Sequence, residues 1–441
     1  MENSIIYLPP VKDCSYLDIE ANLAIRINEC FTSKNVFRIS NTLKEEEEEL
    51  PVLSYDYVKK KWITGRYIGK IFFKHLHHDY CFEIQPRFGN TTVMHLLEEI
   101  FNIKLANSNS SSKLQNSSQN ELIKKLISFI WVKQLSKANI HGLPKHKVKI
   151  QYKESTIKGR IDIRKSFLPI YNEKLLVSER NEKQIDTVIL SILNKAYKVL
   201  SKKYYLTQNM LSESVIEMIN SSSDFHNISI TESQYRNIKY GSMYINYKDI
   251  VDFSWNIIQR KQNDLSPEQS TNNGDALFLD MAEIWERYLM TIFKKQYGKD
   301  GWQVYSTKFT IYNNQYFKRG LIPDIIIEKE NKVVVLDAKY KNMSNNWNDY
   351  DRSDFFQIHT YGSYMEAHHK KVIGIGLLYP LNENMNLEQL ENNLSDNLFG
   401  ETDHTTWFKV DGIKLSEKVE ELTYYKNAFL ERFDEKLSIP L

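Results

Sequence analysis

The chain has 441 residues, a length sufficient for about three domains, each with its own hydrophobic core. Its composition, 41% hydrophobic and 26% charged, excludes a fibrous or wholly disordered protein. Because 58 basic residues nearly balance 56 acidic ones, the net charge of +2 favours no class of partner, and any contact with nucleic acid must come from local patches.

Cysteine usage and apolar runs favour a cytoplasmic protein. The three cysteines, Cys14, Cys30 and Cys81, match neither a disulfide framework nor a CxxC metal knuckle. Residues 1–18 lack the basic start and apolar core of a signal peptide, and the longest apolar run, Ile127 to Val132, is too short for a membrane span. We therefore expect a cytoplasmic location and no membrane contact.

Two polar tracts divide the chain into three regions. Residues 106–120, ANSNSSSKLQNSSQN, and residues 263–275 contain too few apolar side chains to form a core, and both are predicted to be linkers. The predicted regions are residues 1–105, 121–262 and 276–441. The acidic run Glu45 to Glu49 is predicted to be an exposed loop within the first of them.

The first region is predicted to be β-rich. Tyr67 to Phe88 has the pattern of two strands around a polar turn, and a helix is predicted at Thr92 to Ile103. The turn contains residues of metal-ligand type: His75, His77, His78, Asp79 and Cys81. Their spacing provides no zinc ligand pairs, so a solvated turn is the preferred interpretation.

The middle region is predicted to be mostly helical. Apolar residues recur at helical spacing in Glu121 to Ser136 and in Ile185 to Leu200. A short strand is predicted at Val148 to Tyr152, before the sequence GRIDIRKSF at residues 159–167. The basic residues of that segment form either a patch for phosphate or an acidic partner, or a solvated loop.

The last region is predicted to be an α/β domain. The predicted order is a helix at Ala276 to Gln296, strands near Val304 to Tyr312, Asp324 to Glu328 and Val333 to Tyr340, a helix at Asp351 to His368 and a strand at Val372 to Tyr379. The continuous apolar runs of these strands are typical of a sheet that is covered by helices on both faces.

Two aspartates and a lysine interrupt the most apolar strands of this domain. Asp324 begins one strand, and Asp337 and Lys339 share one face of the next. A tight turn predicted at Asn331 and Lys332 brings the two aspartates together, where like charges disfavour joint ionisation unless a cation binds. Carboxylate ligands favour Mg²⁺, with Mn²⁺ as the alternative, and predict phosphodiester hydrolysis. Lys339 would orient or deprotonate the attacking water, or offset developing negative charge.

Two helices supply further candidates. Glu286 lies at the edge of the apolar stripe of the first helix and is preferred over Glu283 as the third carboxylate. On the later helix, Gln357 and Tyr361 share a polar-aromatic face, so Gln357 is predicted to reach the metal-bound water or a phosphate. Tyr361 is a candidate for contact with DNA.

Lys318 and Arg319 lie just before Asp324 and are predicted to bind the DNA backbone. The plainer interpretation of Asp324, Asp337 and Lys339 is a network of surface ion pairs at strand ends, which would contribute little stability.

These motifs carry a family resemblance. Pro323-Asp324, Asp337-Ala338-Lys339 and Gln357-Ile-His-Thr-Tyr361 together resemble the PD-(D/E)xK nuclease pattern with the QxxxY extension of its RecB-like branch. Over most of its length the sequence resembles the McrC family, the nuclease subunits of McrBC-type modification-dependent restriction systems. The matching upstream segments are YIGKIFFKHLHHDYCFEIQPRFG at 67–89, KGRIDIRKSF at 158–167 and LFLDMAEIWERYL at 277–289.

The resemblance implies a DNA endonuclease whose catalytic set is Glu286, Asp324, Asp337 and Lys339, with the backbone carbonyl of Ala338 as a further metal ligand. It implies that the N-terminal region docks on a ring of a McrB-type AAA+ GTPase, and it leaves open dimerisation through the nuclease domain. Since the chain contains no GxxxxGK[ST] motif, any nucleotide motor is another polypeptide.

Arg87 departs from the family pattern, because a lysine is expected after Pro86. Two alternative functions stay open at this point. One is a catalytically silent scaffold that activates the motor, and the other is a stand-alone nuclease in repair or recombination.

Overall fold

The computed structural model describes residues 5–31, 36–37, 50–102, 119–221, 229–263, 277–313, 318–341, 343, 351–386, 395–398 and 406–437. The chain divides into two compact units, residues 1–123 with 267–441 and residues 124–266. The acidic run Glu45 to Glu49, most of the Ser/Asn tract and nearly all of the second linker lie outside the described residues, so the predicted domain boundaries stay predictions. No helix in the described part of the chain is both long and apolar enough to cross a membrane.

The N-terminal part of the first unit is β-rich, as predicted. Its elements are β1 (Ile6–Tyr7), β2 (Val11–Lys12), β3 (Tyr16–Leu17), α1 (Ala21–Cys30), β4 (Val36–Phe37), β5 (Leu53–Asp56), β6 (Lys61–Thr64), β7 (Tyr67–His75), β8 (His78–Gln85) and α2 (Gly89–Phe101). The predicted hairpin is confirmed, since β7 and β8 pair antiparallel over most of their length.

The second unit combines helices with a small sheet. Its elements, beginning with a helix that starts just before it, are α3 (Gln119–Ala138), β9 (Lys145–Glu154), β10 (Arg160–Ile161), α4 (Ile163–Glu173), β11 (Leu176–Ile185), α5 (Thr187–Lys203), α6 (Glu213–Ser221), α7 (Glu232–Arg236) and α8 (Tyr247–Asn263). The sheet order is β10-β11-β9.

Strand β11 is absent from the sequence prediction, because its largely polar residues show no apolar alternation. It nevertheless pairs with β9 over its whole length. Helix α5 begins at Thr187 rather than Ile185, since the Asp186 carboxylate accepts hydrogen bonds from the amides of Val188 and Ile189, both at 3.1 Å. This N-cap fixes the start of the helix.

The C-terminal part of the first unit contains a mixed sheet with flanking helices. Its elements are β12 (Leu277–Asp280), α9 (Met281–Tyr297), β13 (Gln303–Tyr305), β14 (Phe309–Asn313), β15 (Lys318–Leu321), β16 (Ile325–Lys329), β17 (Lys332–Ala338), α10 (Arg352–Ala367), β18 (Lys371–Leu381), β19 (Ser395–Asn397), β20 (Trp407–Lys414) and α11 (Val419–Leu437). The main sheet has the order β13-β16-β17-β18-β20-β19.

The helix predicted from Ala276 is wrong over its first described turn. Residues Leu277–Asp280 form β12, which pairs antiparallel with β7 and parallel with β4. Helix α9 starts only after Asp280, whose carboxylate accepts a hydrogen bond from the Ala282 amide at 2.9 Å. Pairing with a distant strand thus overrides the local helical pattern, and it joins the N-terminal sheet to the C-terminal part of the same unit.

Two further predictions in this part need correction. The single strand predicted near Val304 to Tyr312 is two strands, β13 and β14, which belong to different sheets. The turn between β16 and β17 consists of Glu330 and Asn331, because Lys329 already pairs with Lys332. Glu330 adopts a positive φ of 56° there.

Helices cover both faces of the main sheet. Val333 and Val335 of β17 and Val410 of β20 share one core cluster with Ile358 of α10. Asp411, next to Val410, instead contacts α11. Because successive residues of a strand point to opposite faces, α10 and α11 lie on opposite sides of the sheet. The parallel strands β17 and β18 are joined through α10, as expected for a crossover connection.

Candidate active site

The predicted approach of the two aspartates is confirmed. Strands β16 and β17 pair with Ile325 opposite Leu336, so Asp324 and Asp337 occupy the next opposing positions at the strand ends. Asp324 Oδ2 accepts a hydrogen bond from the Ala338 amide at 2.9 Å. Asp324 is 7% exposed and Asp337 is 1% exposed. Two carboxylates are therefore buried side by side at one end of the hairpin.

Lys339, the residue that follows β17, lies next to this pair of aspartates. Its amide donates to the Leu378 carbonyl at 2.9 Å, which continues the ladder with β18 by one residue. Its Nζ lies 2.5 Å from Asp337 Oδ2, as an ion pair whose angles are not those of a hydrogen bond. The same Nζ donates to Gln357 Oε1 at 2.8 Å and lies 3.4 Å from Asp354 Oδ1.

The electrostatics of the cluster follow from burial and mutual charge. Burial raises the pKa of Asp337, the charge of Asp324 raises it further, and Lys339 only partly offsets both. For Lys339, burial alone would lower the pKa, but the carboxylates of Asp337, Asp354 and Asp324 outweigh it and the pKa is raised. Lys339 is therefore a cation at neutral pH. A bound divalent ion would offset the repulsion between the carboxylates of Asp337 and Asp324.

Gln357 is held in place on both sides. While its Oε1 accepts from Lys339, its Nε2 donates to the Tyr361 hydroxyl at 2.7 Å. That hydroxyl lies 3.3 Å from the Ile322 carbonyl, to which it donates. Burial raises the pKa of Tyr361 to about 12, so the hydroxyl keeps its proton.

The predicted contact of Tyr361 with DNA needs correction. Tyr361 is only 5% exposed and belongs to the core cluster beneath α10. Its ring packs inside the domain and its hydroxyl orients Gln357, so it lies behind the site. The residue shares a helix face with Gln357, as predicted, but that face points inward.

Asp354 is a member of the cluster that the sequence analysis did not identify. Its carboxylate lies between two lysines, with Oδ1 3.4 Å from Lys339 Nζ and Oδ2 accepting from Lys341 Nζ at 2.7 Å. Asp354 is three residues before Gln357, on the same side of α10. Extending the QxxxY pattern one turn toward the N-terminus would have identified it.

Glu286 is not assembled with the two aspartates into a ligand group. It lies half-buried on α9, and its competitor Glu283 lies 3.8 Å from Arg287. Among the described residues, no group of three or more His, Cys, Asp or Glu side chains could hold a metal ion. The role of Glu286 as third carboxylate stays a prediction.

For the remaining predicted residues, only the position in a strand bears on the prediction. Lys318 and Arg319 lie on β15, which pairs with β14 in a separate two-stranded sheet. Ala338 is the last residue of β17, beside Asp337. The predicted DNA contacts of the two basic residues, and the metal contact of the Ala338 carbonyl, stay predictions.

The chemistry of the site fits a hard divalent cation. Within the described residues, Asp337 Oδ2 is a buried acceptor without a hydrogen bond of normal geometry. A second carboxylate, Asp324, lies opposite it across the hairpin. Mg²⁺ is commonly bound through one or two carboxylates while it keeps several waters, so these residues fit Mg²⁺ or Mn²⁺.

The fold is of the mixed α/β class, with several sheets and helices on both faces of the main one. The chain belongs to the family described as McrBC 5-methylcytosine restriction system component, whose sequence model matches residues 63–380. The predicted resemblance is thereby confirmed at the level of the McrBC family. No curated protein matches the chain.

Solved structures of low sequence identity are also similar to it. One is a chain of the refined half-complex from a tetradecameric assembly of Thermococcus gammatolerans McrB AAA+ hexamers with bound McrC, with 14% identity and a TM-score of 0.46 over 98% of this chain and 100% of that chain. Another is from the cryo-EM structure of the Thermococcus gammatolerans McrBC complex, with 14% identity and a TM-score of 0.35 over 66% of this chain and 87% of that chain.

Proposed function

We propose that this chain is the DNA endonuclease subunit of a McrBC-like restriction system, which hydrolyses phosphodiester bonds with Mg²⁺ and acts with a separate AAA+ GTPase. One observation carries the proposal: Asp324 and Asp337 lie opposite each other, buried, with Lys339 as a cation beside them. Membership of the McrBC family supports the restriction role. The succession β16, β17, α10 and β18 agrees with the PD-(D/E)xK arrangement that the motifs predict.

In this proposal Asp324, Asp337 and the Ala338 carbonyl hold the cation. Bound Mg²⁺ supplies polarisation of a phosphoryl oxygen and a lower pKa for a coordinated water. Lys339 offsets negative charge that develops on the phosphate, because its ammonium lies beside Asp337 at the end of the hairpin. Gln357 holds the Lys339 ammonium, and Tyr361 fixes the orientation of the Gln357 amide.

The proposed motor partner requires an accessible surface, and exposed apolar side chains provide candidates. At the turn between β5 and β6 in the N-terminal region, Tyr57 is 84% and Val58 92% exposed. In the second unit, helix α4 exposes Phe167 and Tyr171. Such residues are enriched at protein interfaces. A pull-down of the motor ring compares two variants of the chain, Tyr57→Ser/Val58→Ser and Phe167→Ser/Tyr171→Ser. The variant that retains less of the motor identifies the docking surface.

The proposal is tested by cleavage of methylated DNA by the full chain with its motor, GTP and Mg²⁺. We expect cleavage that EDTA abolishes, and we expect Asp324→Asn to lose both cleavage and Mn²⁺ binding measured by calorimetry. Its circular dichroism spectrum should stay that of the wild type. If Asp324→Asn cuts DNA normally, the proposed site is not the active site.

A second candidate is the catalytically silent scaffold that activates the motor. It is favoured by the finding that, among the described residues, no three His, Cys, Asp or Glu side chains are grouped closely enough to hold a metal ion. Under this alternative, the chain stimulates GTP hydrolysis by the motor but neither the wild type nor Asp324→Asn cuts DNA. Cleavage without any motor would instead favour the stand-alone nuclease.

A further inference from the structure

The end of the catalytic strand is held by a residue from the N-terminal region. Strand β17 ends at Ala338. The Lys339 amide donates one more hydrogen bond, to the Leu378 carbonyl, and the backbone then leaves the sheet. At that point the Arg87 guanidinium, in the turn between β8 and α2, donates from Nη2 to the Lys341 carbonyl at 3.1 Å. The guanidinium carbon also lies 4.5 Å from the centre of the Tyr340 ring.

Arg87 is itself fixed by a buried aspartate. The Asp13 carboxylate is fully buried, accepts from the Arg87 amide at 2.5 Å and lies 3.9 Å from Arg87 Nε. Asp13 is tied to the end of β8, since its amide donates to the Gln85 carbonyl at 3.0 Å. The Arg87 side chain is only 6% exposed. A buried, paired guanidinium has little freedom to move, so it is a rigid support.

The held segment carries two lysines of the candidate site. Lys339 contacts Asp337, and Lys341 donates to Asp354, which also lies 3.4 Å from Lys339. Tyr340, between them, is buried, and its ring lies edge-on to Phe88 with 6.5 Å between the centroids. A shift of this segment would therefore displace the Lys339 ammonium relative to both aspartates.

We propose that Arg87, fixed by Asp13, is a positioning residue that holds the end of β17 and thereby sets the place of Lys339 in the site. Its catalytic consequence rests on the proposed function, whereas its hold on the strand end does not. Misplacement of a catalytic group by about 1 Å can lower the rate about 100-fold, so loss of this support is expected to lower kcat more than it changes KM.

The test compares two double variants of the full chain. Arg87→Met/Asp13→Asn removes the support without leaving a buried charge unpaired. The control, Lys70→Met/Glu83→Gln, also removes one ion pair. That pair is mostly buried, has a distance of 2.7 Å and joins β7 to β8 in the N-terminal region. We expect amide exchange at residues 339–341, measured by mass spectrometry, to accelerate at least about tenfold in the first variant and to stay at the wild-type rate in the second.

Cleavage by the complex with the motor provides the second readout. We expect kcat to fall about 10- to 100-fold in Arg87→Met/Asp13→Asn, with KM for DNA changed less than about threefold, and no such fall in the control variant. Equal exchange rates in the two variants, or an unchanged kcat despite faster exchange, would overturn the proposal. If the wild type cuts no DNA, the proposed function fails, while the exchange rates still decide whether Arg87 holds the strand end.

Discussion

Two buried acid and lysine pairs lie in the same sheet, with the same spacing and different environments. One is Asp337 and Lys339 at the end of β17, and the other is Lys409 and Asp411 on β20. Both aspartates are 1% exposed, and both lysines lie two residues from their partner. A search for a D-x-K or K-x-D tripeptide on an apolar strand would find the two pairs equally.

Their partners differ. Asp411 accepts from the Arg432 guanidinium at 2.9 Å and from the Gly412 amide at 2.7 Å, and Lys409 Nζ lies 3.0 Å from its other oxygen. Asp337 instead faces a second acid, and its pKa is raised. A buried charge whose oxygens are all paired is structural, whereas one set against a like charge is a candidate for function. The surroundings therefore identify the site where the spacing does not.

The largest expected difference between the pairs is in activity. If the proposed function holds, Lys339→Met should lower the rate of DNA cleavage about 100- to 1,000-fold, because it removes the cation that the proposal places beside the reacting phosphate. Lys409→Met should leave cleavage per folded molecule unchanged. Single-turnover cleavage in the complex with the motor measures both, and similar losses in the two variants would remove the distinction.

The next difference is in stability, with the opposite order. Asp411→Asn should lower the free energy of unfolding by about 3 kcal/mol, because it leaves Arg432 and Lys409 buried without their acid. Asp337→Asn should change it by less than about 1 kcal/mol, because it relieves the repulsion by Asp324 while Lys339 keeps Gln357 and Asp354. Urea unfolding measures both values, and a larger loss for Asp337→Asn contradicts the comparison.

An ion-pair cluster outside the main sheet provides a reference for how much a paired, partly buried charge contributes to the free energy of unfolding. Glu99 of α2 lies 2.8 Å from Lys295 of α9 and 2.8 Å from Lys426 of α11. Burial would raise the pKa of Glu99, but hydrogen bonds from both lysines outweigh it and lower the pKa from 4.5 to about 2. Since the folded-state pKa is depressed, this stabilisation is complete above pH 4.5 and is lost as the pH falls toward 2.

Glu99→Gln should therefore lower the free energy of unfolding by about 2 kcal/mol at pH 7, and the difference from the wild type should shrink as the pH falls below 4.5. The control is Glu420→Gln, an exposed residue at the start of α11. A loss at pH 7 that persists unchanged at pH 3 would show that Glu99 contributes through packing rather than through its charge.

The smallest expected effect concerns the support of Lys339. Gln357→Ala should lower kcat about tenfold, because Lys339 loses a partner at 2.8 Å but keeps both acids. Tyr361→Phe, which removes only the hydroxyl behind Gln357, should act through the same interaction. In a double-mutant cycle the two losses should therefore not add, and full additivity would mean that Tyr361 does not act through Gln357.

The hairpin of the candidate site was predictable because its determinants are local. Continuous apolar runs define β16 and β17, and their antiparallel pairing places Asp324 opposite Asp337. The order of α10 and β18 follows from the same kind of pattern. These features require only the periodicity of short segments.

Features that depend on pairing between distant parts of the chain were not predictable. Strand β12 forms by pairing with β7, about 200 residues earlier in the sequence, which no local pattern reveals. The hydrogen bond from the Arg87 guanidinium to the Lys341 carbonyl likewise joins residues 254 positions apart. Tyr361 was predicted to face DNA because helical periodicity gives a shared face with Gln357 but does not say whether that face is inward.

The most direct test is the matched pair Asp337→Asn and Asp411→Asn, assayed for cleavage of methylated DNA with the motor, GTP and Mg²⁺. Each rate is normalised to the folded fraction measured by circular dichroism. We predict no detectable cleavage by Asp337→Asn and the wild-type rate for Asp411→Asn. Wild-type cleavage by folded Asp337→Asn would contradict the assignment of this hairpin as the active site.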